Sequence, residues 1–324
     1  MPCFRPLTAW RGELLPSGKR SVVFKSGDST PALSPFPDHL PCGQCFGCRI
    51  DYSADWAVRC EKEMSMYDRN CFVTLTYEKA PVGLQLSDVQ MFMKKLSRYA
   101  KRGVRYFHAG EYGPVHGRPH YHAILFGFDF PDREFFKKTP SGSNIDTSKV
   151  LQRLWPHGFS SVGNATFESA AYVARYCLKK ISGKAKEVPG ENGLLPYERV
   201  TEDGVVHSVR SDYVTMSRRP GIGFNWFEKF WSDVYPHDYV VTGRGGKMPP
   251  PKYFDRLYEL KNPLDMKRIK CNRMSRCTKK ESVWNDTLQK MQYLDVARGE
   301  RLAVMEEFMK SKCAVYSRKV ESGK

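Results

Sequence analysis

Val104-Arg105-Tyr106-Phe107-His108-Ala109-Gly110-Glu111 leads through a glycine-bounded turn from Gly113 to Gly117 into Arg118-Pro119-His120-Tyr121-His122-Ala123-Ile124-Leu125-Phe126-Gly127. Both flanks are apolar, and the glycines between them mark a reversal, so Val104–Glu111 and His120–Phe126 read as two core strands. Residues two apart in a strand share a face, which aims His120 and His122 one way and Tyr121 the other. If the strands pair antiparallel, Glu111 arrives beside the two histidines. Two imidazoles and a carboxylate with open positions suit a divalent cation that must also grip a phosphate. The plainer alternative is a pair of histidines on a half-buried strand. His108, His116 and His157 lack this context and read as structural or surface residues.

Outward from this hairpin, Cys71–Tyr77 (CFVTLTY) alternates and is β-branched, as a buried strand would be. Ser87-Asp88-Val89-Gln90 reads as a capping box opening a helix to about Tyr99. Apolar spacing at Trp56, Met64 and Tyr67 predicts a helix over 53–68, and further helices are expected at Lys149–Leu154 and about Glu168–Lys180. Residues 1–41 read as an extended Pro/Ser-rich arm with one strand-like piece at Ser21–Lys25. Gly183–Pro196 is a polar linker, Tyr197–Val209 a hairpin around Glu202-Asp203-Gly204, and Gly243–Pro251 a Gly/Pro-rich connector; the chain is expected to be helical again from about Val283. The pattern predicts an α+β fold, an antiparallel sheet layered with helices, followed by a mostly helical basic C-terminal region. The expected divisions are an arm over 1–50, a core over 51–185 and an accessory region over 186–324.

A second motif is Ala171-Tyr172-Val173-Ala174-Arg175-Tyr176-Cys177-Leu178-Lys179-Lys180. Four residues make just over one helical turn, so Tyr172 and Tyr176 share a face about 6 Å apart along the axis. Arg175 follows the first tyrosine by three, and Lys179 and Lys180 follow the second by three and four. A nearby cation favours the phenolate and could hold a phosphate. Aromatic i,i+4 packing in a core helix is the alternative.

The 324-residue chain carries 52 Lys+Arg against 35 Asp+Glu, a formal net charge of +17. A surplus of that size points to a polyanion, most often nucleic acid. No run approaches the roughly 18 apolar residues of a membrane span, and Met1–Pro6 lacks the apolar core of a secretory signal. Ten cysteines without such a signal suggest reduced thiols or metal ligands in a reducing cytoplasm. Cys42, Cys45 and Cys48 form C-x-x-C-x-x-C, three thiolates to which Cys3 or Cys60 could add a fourth for a structural Zn²⁺ site; an iron–sulfur cluster or free thiols are the alternatives. Eight basic residues between Lys261 and Lys280 could contact phosphates or simply face solvent. Arg218 and Arg219, before Pro220, could line a nucleic-acid path.

Phe72–Tyr77, Arg118–His122 and Tyr172–Lys180, in that order, resemble the three motifs of the HUH endonucleases, named for His, a bulky residue and His. With Cys42–Arg49 and Met216-Ser217-Arg218-Arg219-Pro220-Gly221-Ile222-Gly223, the set is more narrowly similar to replication initiators of gokushovirus-type microviruses, small single-stranded DNA phages. The resemblance spans about residues 40 to 230. It implies a sheet of the RRM or ferredoxin-like kind. It further implies Glu111, His120 and His122 as ligands of Mg²⁺ or Mn²⁺, Tyr172 and Tyr176 as nucleophiles, and Lys179 as the lysine after a tyrosine, which makes Tyr176 the closer match to single-tyrosine members. Arg118, Arg175, Lys180, Arg218 and Arg219 would bind DNA.

The implied activity is rolling-circle initiation. Single-stranded or supercoiled viral origin DNA would be nicked to a 5′-phosphotyrosine and a free 3′-hydroxyl, and later rejoined as a circle. The setting would be a bacterial host cytoplasm with no membrane partner. No G-x-x-x-x-G-K-[ST] loop is present, so a host helicase would unwind and a host DNA polymerase would extend. Two rivals differ in class. A non-catalytic single-stranded nucleic-acid-binding protein leaves Glu111, His120 and His122 without a task. A metal-dependent hydrolytic nuclease leaves the tyrosine pair unexplained.

Overall fold

The computed structural model describes residues 3–15, 20–24, 38–113, 117–139, 142–179, 187–190, 193–243, 245–278 and 300–311. The chain divides into two compact units, one joining residues 1–52 to 283–322 and one of residues 53–282.

In the first unit, β1 (Leu7–Leu14) pairs antiparallel with β2 (Arg20–Val23) on one side and β3 (Asp38–Leu40) on the other. The expected extended arm is thus a small sheet. Two of its three strands are only three and four residues long, too short to show a periodic pattern. A helical stretch at 300–311 belongs to the same unit: Glu306 accepts from Arg5 Nε at 3.1 Å and from the Phe46 amide at 3.3 Å. The expected start of that C-terminal helix, near residue 283, lies outside the described residues.

The second unit is built on a seven-stranded antiparallel sheet. Helix α1 (Phe46–Met64), which begins in the first unit, is followed by β4 (Asn70–Thr76), α2 (Leu86–Tyr99), β5 (Arg105–Tyr112) and β6 (Pro119–Phe126). Then come β7 (Arg133–Lys138), β8 (Asn144–Ser148), α3 (Lys149–Leu154), β9 (Ser160–Asn164) and α4 (Phe167–Lys179). After the small β10 (Glu198–Val200) and β11 (Val206–Ser208) hairpin, β12 (Tyr213–Met216) returns to the sheet. The strand order is β12-β5-β6-β4-β9-β8-β7. The edge strand β12 therefore comes from downstream of residue 185.

Period-two alternation sorts the side chains into two cores. Cys71, Val73 and Leu75 of β4, Tyr121, Ala123 and Leu125 of β6, and Val162 of β9 pack with Val89, Phe92 and Leu96 of α2 and Leu151 and Leu154 of α3. On the opposite face, Phe107 and Ala109 of β5 and Ile124 and Phe126 of β6 pack with Trp56, Cys60 and Met64 of α1 and Ala170, Val173 and Ala174 of α4. Each fully buried aliphatic or aromatic side chain contributes roughly 1.5–3 kcal/mol, so the register of β6 is held from both sides.

Helix α4 packs on β5, β12 and β6, covering one half of its face. On the other half, the residues of β4 and β9 that point the same way, Phe72, Thr74, Thr76 and Ser161, are only half-buried. A third cluster is helical: α5 (Phe224–Val234), α6 (Lys252–Lys261) and α7 (Pro263–Thr278) bury Phe227, Tyr235, Phe254, Tyr258 and Met266 together, next to the short pair β13 (Val240–Val241) and β14 (Lys247–Met248).

Two local expectations are corrected. The helix expected over 53–68 starts at Phe46 and ends at Met64, so Cys48 lies inside it. The capping box at Ser87–Gln90 does not form: α2 is capped by Gln85 without a side-chain bond, Ser87 donates to Asp88, and Asp88 accepts from the Tyr77 hydroxyl at 2.7 Å.

Candidate functional site

The pairing of β5 with β6 sets Glu111 directly opposite His120 and Ala109 opposite His122. Their side chains therefore converge on the α4 face of the sheet. Oε1 of Glu111 lies 2.6 Å from Nε2 of His120 and 3.2 Å from Nε2 of His122. Glu111 and His122 are buried and His120 is partly open.

The outer partners of these imidazoles orient them. Nδ1 of His120 is 3.1 Å from the Arg118 carbonyl, which can only accept, so Nδ1 carries the proton and Nε2 presents its lone pair. That lone pair faces a carboxylate oxygen. Two acceptors at 2.6 Å need a cation between or beside them, either a proton or a metal ion. Nδ1 of His122 is 3.0 Å from Oγ1 of Thr74, its register partner on β4. Burial alone would raise the Glu111 pKa, but with a proton on each Nε2 the hydrogen bonds from His120 and His122 outweigh it and hold the carboxyl down to about 2. One carboxylate oxygen and two Nε2 atoms thus form a compact donor set that could hold a metal ion.

Tyr121 points through the sheet. Its hydroxyl accepts from the Gln85 amide at 2.7 Å, donates to the Gln85 carbonyl at 3.0 Å and lies 3.0 Å from the Tyr77 hydroxyl. This fastens the histidine strand to the start of α2. His108, on the same face as Tyr121, is fully buried with Nδ1 3.1 Å from Oγ1 of Thr215, and burial, helped by the charge of His122, pushes its pKa down to about 3.

Helix α4 brings Tyr172 to the centre. Its ring meets that of His122 edge-on at 5.2 Å between centroids, and that of Phe72 at 6.2 Å. Tyr172 is 39% exposed, so its phenol stays accessible beside the donor set. Arg175, Tyr176 and Lys179 fall in the last turns of α4, their side chains outside the described residues, and Lys180 lies wholly outside them.

Arg118 is exposed and donates from Nη2 to the carbonyls of Tyr77 and Glu78 at 2.7 and 3.0 Å, so its guanidinium is tied to the end of β4. Arg218 and Arg219 are exposed just beyond β12. Of the basic run after residue 260, Lys261, Arg268, Lys270 and Arg273 are engaged with carboxylates, Arg273 with both Asp238 and Asp255 at 2.6 Å.

Two residues of the site escaped sequence reasoning. Thr74 lies inside a quoted motif, yet only the register shows that it meets His122. Asp212, buried just before β12, accepts from the Tyr112 amide at 3.2 Å; burial raises its pKa, and the charge of Glu111 adds to that rise. No local signal marks it, because its place depends on β12 pairing with β5.

The cysteine cluster sits in the first unit. Sγ atoms of Cys3, Cys42, Cys45 and Cys48 all lie within 4.8 Å of one another, with Cys3 3.6 Å from Cys42 and 3.8 Å from Cys45. Cys60, the other possible fourth member, is instead buried in the core with Trp56 and Met64. All four are free thiols. Amides of Phe4, Cys42, Gln44, Cys45 and Cys48 point at these sulfurs at 3.2–3.5 Å. Burial pushes the Cys45 thiol up, but the amides of Cys48 and Phe4 bring it to about 7; burial takes Cys48 to about 12.

An antiparallel sheet between helical layers, with a Glu-His-His donor set on one face and a tyrosine-bearing helix above it, defines a class that comparison with known proteins narrows. The family described as Replication-associated protein ORF2/G2P matches residues 70–181, from β4 to just past α4. The chain is 30% identical over 274 residues to Replication-associated protein VP4 of Bdellovibrio phage phiMH2K, covering 81% of this chain and 79% of that one. It is 33% identical over 238 residues to Replication-associated protein ORF2 of Spiroplasma virus 4, 68% of each chain. It is also 33% identical over 152 residues to Replication-associated protein ORF4 of Chlamydia phage 1, 44% of this chain and 38% of that one. No solved structure matches it. The chain belongs to the replication-associated proteins of microviruses. Among the described residues no helix is long and apolar enough to cross a membrane.

Proposed function

We propose that this protein initiates rolling-circle replication by nicking one strand of viral origin DNA through a tyrosine and later rejoining the strand as a circle. The observation that carries the reading is the convergence of Glu111, His120 and His122 beneath an accessible Tyr172. Held by those three residues, Mg²⁺ or Mn²⁺ would act as a Lewis acid on a non-bridging oxygen of the scissile phosphate.

The chain's own residues do the rest. The Arg118 carbonyl and Thr74 orient the two imidazoles, and the buried, ionised Glu111 supplies the negative charge. The oxygen of a tyrosine, Tyr172 or Tyr176, attacks phosphorus and loses its proton. The bond from phosphorus to the 3′ oxygen breaks, and that oxygen leaves with a proton as a hydroxyl. One phosphodiester replaces another, so rejoining needs no nucleotide hydrolysis. Two tyrosines one helical turn apart would let one hold a 5′ end while the other cuts again. Lys179 would assist the attacking phenol, and Arg175 and Lys180 would bind the phosphate. The host would supply helicase and polymerase in its cytoplasm.

The cysteine cluster we assign to structural Zn²⁺. Four thiolates about 2.3 Å from a tetrahedral zinc lie about 3.8 Å from one another, and the separations of 3.6 and 3.8 Å match that edge. A disulfide would need about 2.05 Å. A multi-iron cluster would need its thiolates spread further apart. The amides aimed at the sulfurs favour thiolates.

An end-labelled single-stranded origin oligonucleotide with Mn²⁺ or Mg²⁺, run on a denaturing gel, tests the chemistry. A metal-dependent protein–DNA adduct is expected, lost in the Tyr172→Phe/Tyr176→Phe double variant and ranked between the tyrosines by the single ones. Free cut ends without an adduct would make the protein a hydrolase. Metal-indifferent binding without cutting would make it a binding protein only.

A further inference from the structure

The half of the site face that α4 leaves uncovered runs out to two exposed phenyl rings. Thr76, the register partner of His120, donates through both its amide and its hydroxyl to the Phe159 carbonyl, at 3.0 and 2.7 Å. Phe159 therefore sits beside the donor set, two strands from His120, a distance of about 10 Å at ordinary strand spacing. Its ring packs on that of Phe136 from β7, 5.5 Å between centroids and tilted 48°. Both rings stand in solvent, 47% and 51% exposed. Lys137 Nζ is 5.5 Å from the Phe136 centroid, and Lys138 follows it along the edge strand. At this end of β4 a depression is lined by Thr76, Gln152, Gly158 and Phe159 and bordered by Arg118.

Two exposed phenyl rings on a sheet edge are an aggregation hazard unless something covers them. What covers them has to be flat, apolar on its faces and negatively charged at its edges, because cations frame the rings. Bases joined by phosphates have those properties. We propose that Phe159 and Phe136 form a stacking shelf for unpaired bases of a single DNA strand next to the scissile phosphate, with Arg118, Lys137 and Lys138 holding its backbone. The proposal rests on reading the chain as one that acts on single-stranded DNA. It assigns the direction the strand takes from the donor set, across β4 and β9 toward β7.

The test is binding of a fluorescently labelled origin oligonucleotide, followed by anisotropy without added divalent cation, so that it stands whether or not the strand is cut. Phe136→Ala and Phe159→Ala are each expected to raise Kd about tenfold, in line with base–aromatic stacking. Affinity for fully paired duplex and the slope of log K against log salt should not change. Phe159→Trp should restore binding. Lys137→Gln with Lys138→Gln should make the salt slope shallower, by about 0.7 for each phosphate no longer neutralised. The proposal is overturned if folded Phe136→Ala/Phe159→Ala protein, judged by circular dichroism, binds single strands within twofold of the parent. It is equally overturned if the double variant changes only the oligomeric state in size-exclusion chromatography, which would make the shelf an interface between copies of this chain.

Discussion

Two imidazoles from one strand perform opposite tasks from a third on its neighbour, according to the atoms that surround them. His120 and His122 turn Nε2 toward Glu111, while His108, on the other face, is buried in an apolar setting with its pKa lowered to about 3. A histidine that is neutral when folded, yet has a pKa of about 6.5 when unfolded, lets the unfolded chain bind the extra proton between those values. Stability should fall as pH drops below about 6.5, and the loss should continue toward pH 3. Urea unfolding of the parent and of His108→Gln from pH 5 to 8 checks this: the parent should lose up to about 1.4 kcal/mol per pH unit more than the variant. Equal slopes would sink the assignment. Thr74→Val leaves the fold intact but removes the bond that orients His122. Affinity for Mn²⁺, read by titration calorimetry, is expected to drop about 10- to 100-fold. An unchanged affinity would leave Thr74 as packing only.

Among the elements, the turn that leads α3 into β9 is the most constrained. A Cβ on Gly158 would lie 2.2 Å from the Glu78 amide nitrogen and 2.6 Å from the Tyr77 carbonyl carbon, backbone atoms that cannot yield. Gly158→Ala should cost about 1–3 kcal/mol, seen as a lower thermal midpoint, and should displace Phe159, its neighbour. A midpoint unchanged within a degree would refute the close approach. The strands that carry the site were legible for different reasons, β4 by its period-two alternation and β5 and β6 as apolar runs bounded by glycine or proline: they fall where CFVTLTY, Val104–Glu111 and His120–Phe126 place them. The convergence of Glu111 with the histidines followed from antiparallel pairing alone. β7 and β8 were not legible, since REFFKK and NIDTS show no buried alternation and owe their place to the sheet edge they join, and β9 (SSVGN) is short and largely polar. Nor was β12, whose half-buried YVTM becomes a strand only against β5. The helices α5 and α6 were hidden by short lengths and an aromatic-rich composition that suits strands equally well.

For the whole molecule, charge and metal content give the readouts. A net charge of +17 predicts affinity for single-stranded DNA that falls steeply with salt; a Kd indifferent to salt between about 50 and 200 mM would contradict it. Several cations after residue 260 are already paired within the fold, so the slope should report fewer neutralised phosphates than the surplus of Lys and Arg suggests. Purified protein should hold one zinc per chain by atomic emission, and none in Cys42→Ser/Cys45→Ser. Loss of the metal should expose residues 3–15 to protease while the sheet of the second unit stays intact. Retained zinc in that variant would refute the four-cysteine assignment.

Strand β6 is read from both sides at once: His120 and His122 face Glu111, and Tyr121 reaches Gln85 and Tyr77 on the other face. A single residue inserted between Pro119 and His120 would exchange the two faces downstream of it, carrying an imidazole into an apolar core and a phenol toward Glu111. The same insertion in the exposed reversal at Thr201–Val205 would only lengthen a loop. Across related genomes, then, the spacing within this segment should be immune to length variation while the small hairpin drifts freely.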